Sequence, residues 1–237
     1  MALVVLVATG IFVFSTSRRG GGSAALNSAL KADAELLKKL QAESNTARAS
    51  VSKAFDLLDK ELNLIGKPGG AGLAEATTAW IDGPKLMNEA RDANLMLPKI
   101  AVRIVKVAAE GRTEIRKLYA TLGRGADRKY AQALDLALES LINTQVKYSK
   151  VDGRLARGFP DYDSLYNRTD KFFKELNNKT YRTPAEASQV YSLATSPLVE
   201  PLATLRKDLN KLEIEAAQSG KKTLEAFNKA ARLRPAA

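Results

Sequence analysis

The sequence predicts an all-α fold, an elongated up-and-down helical bundle with a long additional N-terminal helix. Three observations predict it. Apolar residues recur at steps of three and four along most of the chain, the spacing that lines one face of a helix. No stretch shows the sustained apolar–polar alternation of a half-buried strand. Hydrophobic content is 45% while aromatic content is only 6%, so the apolar residues are mainly Leu, Ala, Val and Ile. Such residues suit thin helix-on-helix interfaces better than one thick core.

The chain opens with an uncharged apolar run from Met1 to Phe14, then Ser15-Thr-Ser17 and an Arg18-Arg-Gly-Gly-Gly-Ser23 linker. The run is shorter than the roughly 20 residues of a comfortable membrane span. It reads as a hydrophobic targeting segment, residues 1–17, although no basic residues precede it as they would in an ordinary secretory signal. A retained signal-anchor and a buried helix are the alternatives. In the anchored case the two arginines favour a cytoplasmic location for the rest of the chain.

A long amphipathic helix is predicted over 24–65. Leu30, Asp33, Leu37, Leu40, Ser44, Ala47, Val51, Ala54, Leu58 and Ile65 form its stripe, and several small or polar members make this a seam that needs tertiary support. Its length would be roughly 60 Å at 1.5 Å per residue. Gly66-Lys-Pro-Gly-Gly-Ala-Gly72 ends it as a linker. A phosphate cradle is excluded there, because no strand precedes the glycines and no Gly-Lys-Ser/Thr comes after them.

The remaining 73–212 are expected to build the bundle, with 213–237 as a basic C-terminal extension. A short helix covers Leu73 to Trp80, and Gly83-Pro84 breaks it before Lys85–Leu95. Pro98 is expected to start a stronger helix with Ile100, Ile104, Val107, Gly111, Ile115, Leu118 and Leu122 on its apolar face. The next helix is expected from Asp127 to Leu155, a turn at Gly158-Phe-Pro160, and another helix from Asp163 to Asn177. Thr183-Pro-Ala-Glu186 reads as a helix start, with Thr as N-cap, Pro at the first position and a carboxylate near the first turn. Pro197 and Pro201 are expected to interrupt that last helix. Trp80 is read as core before interface.

Composition narrows the chemistry. The chain holds no Cys and no His, which removes thiol nucleophiles, imidazole metal sites and His-based triads. Asp161, Asp163 and Asp170 could offer oxygen ligands to a hard cation, but their spacing makes no EF-hand and a solvated acidic turn explains them. No cofactor motif is found, and the expectation is a protein that is not an enzyme.

The net charge of +11 should draw the protein to acidic surfaces. From Lys99 to Lys129 nine basic residues face Glu110, Glu114 and Asp127, a net +6. The predicted docking residues are Lys99, Arg103, Lys106, Arg112 and Arg116 on one helix, and Lys221, Lys222 and Arg232 in the C-terminal region. The expected partner is an acidic protein surface of a membrane complex. Nucleic acid is disfavoured, because no recognised motif is present and the aromatics sit on apolar faces rather than among the basic residues.

One stretch carries a family resemblance. Asp170-Lys-Phe-Phe-Lys-Glu-Leu176, a short polar connection, then Thr183-Pro-Ala-Glu-Ala187 with Tyr191, resemble the last two helices of the PsbQ-type extrinsic subunits of photosystem II. The resemblance is clearest over Asp163 to Leu212, and the earlier helices from Leu73 would complete that family's four-helix bundle. It implies a non-catalytic protein peripheral to the lumenal face of the thylakoid membrane, where it would stabilise the oxygen-evolving complex and help retain its calcium and chloride. It implies no manganese ligand in this chain. The helix over 24–65, the basic tail, and Pro197 and Pro201 in the last helix depart from the family pattern. A membrane-anchored helical sensor or scaffold is the competing class.

Overall fold

The structure, a computed structural model, describes residues 21–122 and 125–234, with the side chains of 21–24 excepted. The predicted targeting segment, 1–17, lies outside the described residues. Every regular element among those described is helical. Four long helices, α1 (Gly21–Ile65), α3 (Gly83–Leu118), α4 (Ala126–Asn177) and α5 (Pro184–Arg232), are joined by a short α2 (Leu73–Ala79) and two single-turn 3₁₀ segments, Pro68–Gly70 and Trp80–Asp82. No helix among the described residues is long and apolar enough to cross a membrane.

The helices are longer and fewer than expected, and the differences share one cause. Gly83-Pro84 opens α3 instead of separating two helices, and α3 runs 36 residues with Pro98 inside it. The anticipated turn at Gly158–Pro160 is absent, because α4 continues for 52 residues through Pro160. Pro197 and Pro201 likewise sit inside the 49-residue α5, so 213–232 is the last part of a bundle helix. Gly21 to Ser23 belong to α1, not to a linker.

An interior proline removes one hydrogen bond and crowds the carbonyl four residues back, at a cost of about 3 kcal/mol. All four prolines are exposed, and the carbonyls they leave free belong to residues that are exposed or, at Asn94, half-buried. That of Leu193, which Pro197 cannot serve, accepts from Ser196 Oγ at 3.0 Å. Buried neighbours such as Leu97, Phe159, Leu198 and Leu202 hold the helix on its inner side.

Packing divides the chain into two compact units, each drawing a stretch from all four long helices. Unit 1 comprises Ala47–Leu97 and Asp152–Lys211, and its core is aromatic. Phe55 of α1 stacks on Tyr162 of α4 with centroids 3.6 Å apart. Trp80 is buried and stacks on Phe173 at 5.3 Å, and Phe172 meets Tyr191 at 5.0 Å. Trp80 is therefore a core residue.

Gly158 is buried because Leu205 of α5 packs onto it, and a Cβ there would fall 2.2 Å from Leu205 Cδ2. The glycine is there for close helix approach and not for a turn. The α1–α2 connection uses glycine differently: Gly70 has φ +74, and a Cβ would meet the Pro184 carbonyl oxygen at 2.6 Å.

Three termini in unit 1 are closed by side chains and local turns. Ser188 Oγ donates to the Ile65 carbonyl at 2.6 Å, serving the open end of α1. At the start of α5 the expected cap forms: the Glu186 amide donates to Thr183 Oγ1 at 3.1 Å, while Glu186 Oε2 accepts from the Arg182 amide at 2.9 Å. The end of α4 closes with Thr180 N–H to Glu175 O and Lys179 N–H to Leu176 O, a Schellman pattern that places Lys179 at φ 55.

Of the described residues, unit 2 comprises 21–46, those within Pro98–Val151, and 212–234. Its core is aliphatic, built from Leu26, Leu30, Leu37 and Leu40 of α1 with Ile100, Ile104 and Ile115 of α3, Leu134, Leu138 and Leu141 of α4, and Phe227 of α5. The N-terminal helix is thus a full member of the packing. A hydroxyl cluster ties α4 to α5: Ser140 and Thr144 both pair with Thr223, at 2.8 and 2.9 Å, and Thr144 pairs with Ser219 at 2.7 Å. Rising numbers on α4 meet falling numbers on α5, so the two run antiparallel.

Candidate docking surface

All eight predicted docking residues fall in unit 2, but they do not form one patch. On α3, Lys99 and Arg103 are exposed and carry no ion pair among the described residues. The other three are engaged. Arg112, only 17% exposed, donates from Nε to Asp135 Oδ1 at 2.7 Å and lies 3.4 Å from Glu139 Oε1. Arg116 reaches Asp135 Oδ2 at 3.3 Å, and Lys106 faces Glu110 at 3.9 Å. The hydrogen bond to Asp135 holds the Arg112 guanidinium above its ordinary range. Arg112 is therefore a clamp between α3 and α4. The positive charge counted along α3 is largely spent on acids of α3 itself and of α4.

The C-terminal group behaves otherwise. Lys221, Lys222 and Arg232 are all exposed on α5, and none has an ion pair among the described residues. The structure adds two lysines that sequence reasoning did not single out. Lys129 near the start of α4 and Lys229 near the end of α5 are both exposed and line one groove. Their proximity depends on the antiparallel pairing of α4 with α5, which no local spacing in the sequence encodes. The basic last turn of α5, with Lys229 and Arg232, also complements the negative end of the helix dipole.

Unit 1 holds most of the buried ionisable groups. Arg48 and Asp152, 3% and 4% exposed, form a bidentate pair at 3.0 and 2.9 Å. Burial pushes the Asp152 carboxyl up, and Arg48 opposes that rise. Asp59 accepts from the Tyr162 hydroxyl at 2.9 Å and from Arg206 Nε at 2.7 Å, and Arg206 also reaches Asp56 at 3.1 Å. These carboxylates are saturated by partners from other helices, which suits a structural tie better than proton transfer.

Glu61 is different. It is fully buried, neither carboxylate oxygen has a hydrogen-bond partner, and burial raises its pKa from 4.5 to about 7. Of the three aspartates considered for a cation, Asp163 is bound to Arg91 at 2.6 Å and Asp170 to Lys174 at 2.6 Å. No group of three or more candidate ligands that could hold a metal is found among the described residues.

Compared with known proteins, the chain matches no family model, no curated sequence and no solved structure.

Proposed function

We propose that this chain is a non-catalytic helical protein that docks through the basic C-terminal part of α5 onto an acidic protein surface. The observation that carries the reading is the contrast within unit 2: the basic residues of α3 are mostly paired with Glu and Asp, whereas Lys221, Lys222, Lys229 and Arg232 are exposed without ion pairs. Exposed, unpaired charge is what steers and orients association. In its specific form the partner is photosystem II. The chain then sits peripherally on the lumenal face of the thylakoid membrane as an extrinsic subunit that stabilises the oxygen-evolving complex. The helix start at Thr183–Glu186 and the buried Phe172, Phe173 and Tyr191 support that version, since they carry the PsbQ-type resemblance.

The test is rebinding of the full chain to photosystem II membranes stripped of extrinsic subunits, measured across a salt series. Retention at low salt that falls as the Debye length shrinks from about 30 Å at 0.01 M to about 3 Å at 1 M is expected. Absence of retention at low salt removes the photosystem II version. Retention unaffected by salt removes electrostatic docking.

A further inference from the structure

The part of unit 2 where α4 begins and α5 ends carries an open groove of about 360 Å³. Ala133 and Leu136 of α4, Ala226 of α5 and Leu233 in the turn that follows α5 form its apolar lining. The two alanines make it concave, and Leu136 and Leu233 remain 59% and 36% exposed. Lys129 of α4 and Lys229 of α5 line its two sides. Long lysines lay their methylenes on such walls and keep the ammonium at the rim.

Each wall is a pair of helical turns. Positions 129, 132, 133 and 136 of α4, and 226 and 229 of α5 with 233 in the turn that follows it, obey the three–four spacing of one face. Extending the register set by Ser140–Thr223 and Thr144–Ser219 brings Leu233 level with Tyr130, and Lys229 level with Leu134. The Cα positions of Lys129 and Lys229 are then offset by about five residues, roughly 7 Å along the groove at 1.5 Å per residue, on opposite sides of it. Carboxylates five residues apart on a docked helix are offset by about 7.5 Å along its axis and lie roughly 140° apart around it, so they flank an apolar strip on its two sides. Two helical turns give a trough only about 10 Å long, too short to sheathe a long acyl chain but long enough for two or three anchor side chains.

We propose that this groove seats an amphipathic helix of the partner protein, its apolar strip covering Leu136 and Leu233 and its carboxylates, on either side of that strip and five residues apart, meeting Lys129 and Lys229. This rests on the docking reading above and names the kind of surface that the basic end of α5 engages. It is the helix-in-groove mode of recognition, with anchors at positions i, i+3, i+4 and i+7.

The experiment is fluorescence anisotropy of the full chain with a labelled synthetic 14-residue helical peptide, leucines on one face and glutamates five apart flanking that face on its two sides. A scrambled peptide of identical composition serves as the control. Binding at least tenfold tighter than the scrambled peptide is expected. Leu136→Glu and the pair Lys129→Glu/Lys229→Glu should each weaken it at least tenfold, with helicity by circular dichroism unchanged. Equal, salt-sensitive binding of both peptides, weakened only by reversal at Lys221, Lys222 and Arg232, overturns the groove and leaves basic docking standing. No salt-sensitive binding of either peptide overturns both. Phosphatidylglycerol vesicles that displace the peptide and lose binding in Leu136→Glu would make the groove a lipid seat, against the proposal. A dimer of the chain that dissociates in Leu136→Glu would assign it to a second copy, also against it.

Discussion

Replacing Glu61 by Gln should make unit 1 more stable, increasingly so as pH rises. Both carboxylate oxygens of Glu61 are buried without a partner, and desolvation lifts its pKa from 4.5 to about 7, Lys60 opposing the rise and Glu75 adding to it. The phenol of Tyr191, from α5, feels the same carboxylate and is itself raised mainly by burial. The native state thus holds this proton more tightly than the unfolded chain does. The contribution is fully present below pH 4.5 and is lost as pH rises through about 7. At 1.36 kcal/mol per pKa unit, the shift from 4.5 to about 7 amounts to about 3 kcal/mol lost over that window. Gln keeps the shape and cannot ionise. Urea unfolding of both proteins at pH 4.5, 6 and 8 should therefore show a gap that widens with pH toward about 3 kcal/mol. A gap that is constant across pH, or a Glu61 carboxyl that titrates near 4.5 by carbon NMR, would refute the reasoning.

The packing gives three further expected outcomes. Arg48→Met should destabilise by about 3–5 kcal/mol, because it strands the Asp152 carboxylate, while Arg48→Met with Asp152→Leu should recover most of that loss in chemical denaturation. Gly158→Ala should cost about 1–3 kcal/mol, because its Cβ would collide with Leu205, and Leu205→Ala should add less in that background than alone in a double-mutant cycle. Lys179→Gly should stabilise by up to about 1 kcal/mol in thermal unfolding, since the Schellman position at φ 55 strains a residue with a Cβ.

The features legible in the sequence are mostly those that depend on near neighbours. The α1 stripe is buried at Leu30, Leu37, Leu40, Ser44, Ala47, Val51, Ala54, Leu58 and Ile65, with only Asp33 half-buried, because a 3.6-residue period needs no knowledge of the partner helix. The α5 cap at Thr183 is readable for the same reason. Equally local rules misjudge the four interior prolines and Gly158. A proline read alone is a helix breaker, but here an exposed ring and buried neighbours on the inner face let the helix continue, and Gly158 needs Leu205, on another helix, to explain it.

The candidate docking surface is harder still to read. Arg112 counts as free charge until α3 and α4 are aligned and Asp135 and Glu139 come within reach. Lys129 and Lys229 come from different helices and share a groove only through the α4–α5 pairing. Likewise Arg48 meets Asp152 across a separation of 104 residues, and Tyr162 meets Asp59 across 103. Charge counted along a segment measures composition. Charge free to bind is what remains after pairing, both within a helix and between helices.

That distinction is tested most directly by comparing two charge-reversed chains in co-sedimentation with stripped photosystem II membranes at low salt. One carries Lys221→Glu, Lys222→Glu and Arg232→Glu, at exposed positions without ion pairs. The other carries Lys106→Glu and Lys117→Glu, whose partners Glu110 and Glu114 lie at 3.9 and 2.7 Å. Exposed pairs contribute under about 1 kcal/mol to folding, so both chains should stay helical. The account predicts that the first chain loses retention and the second keeps most of it. Loss by the second with retention of the first would place docking on α3 and contradict it.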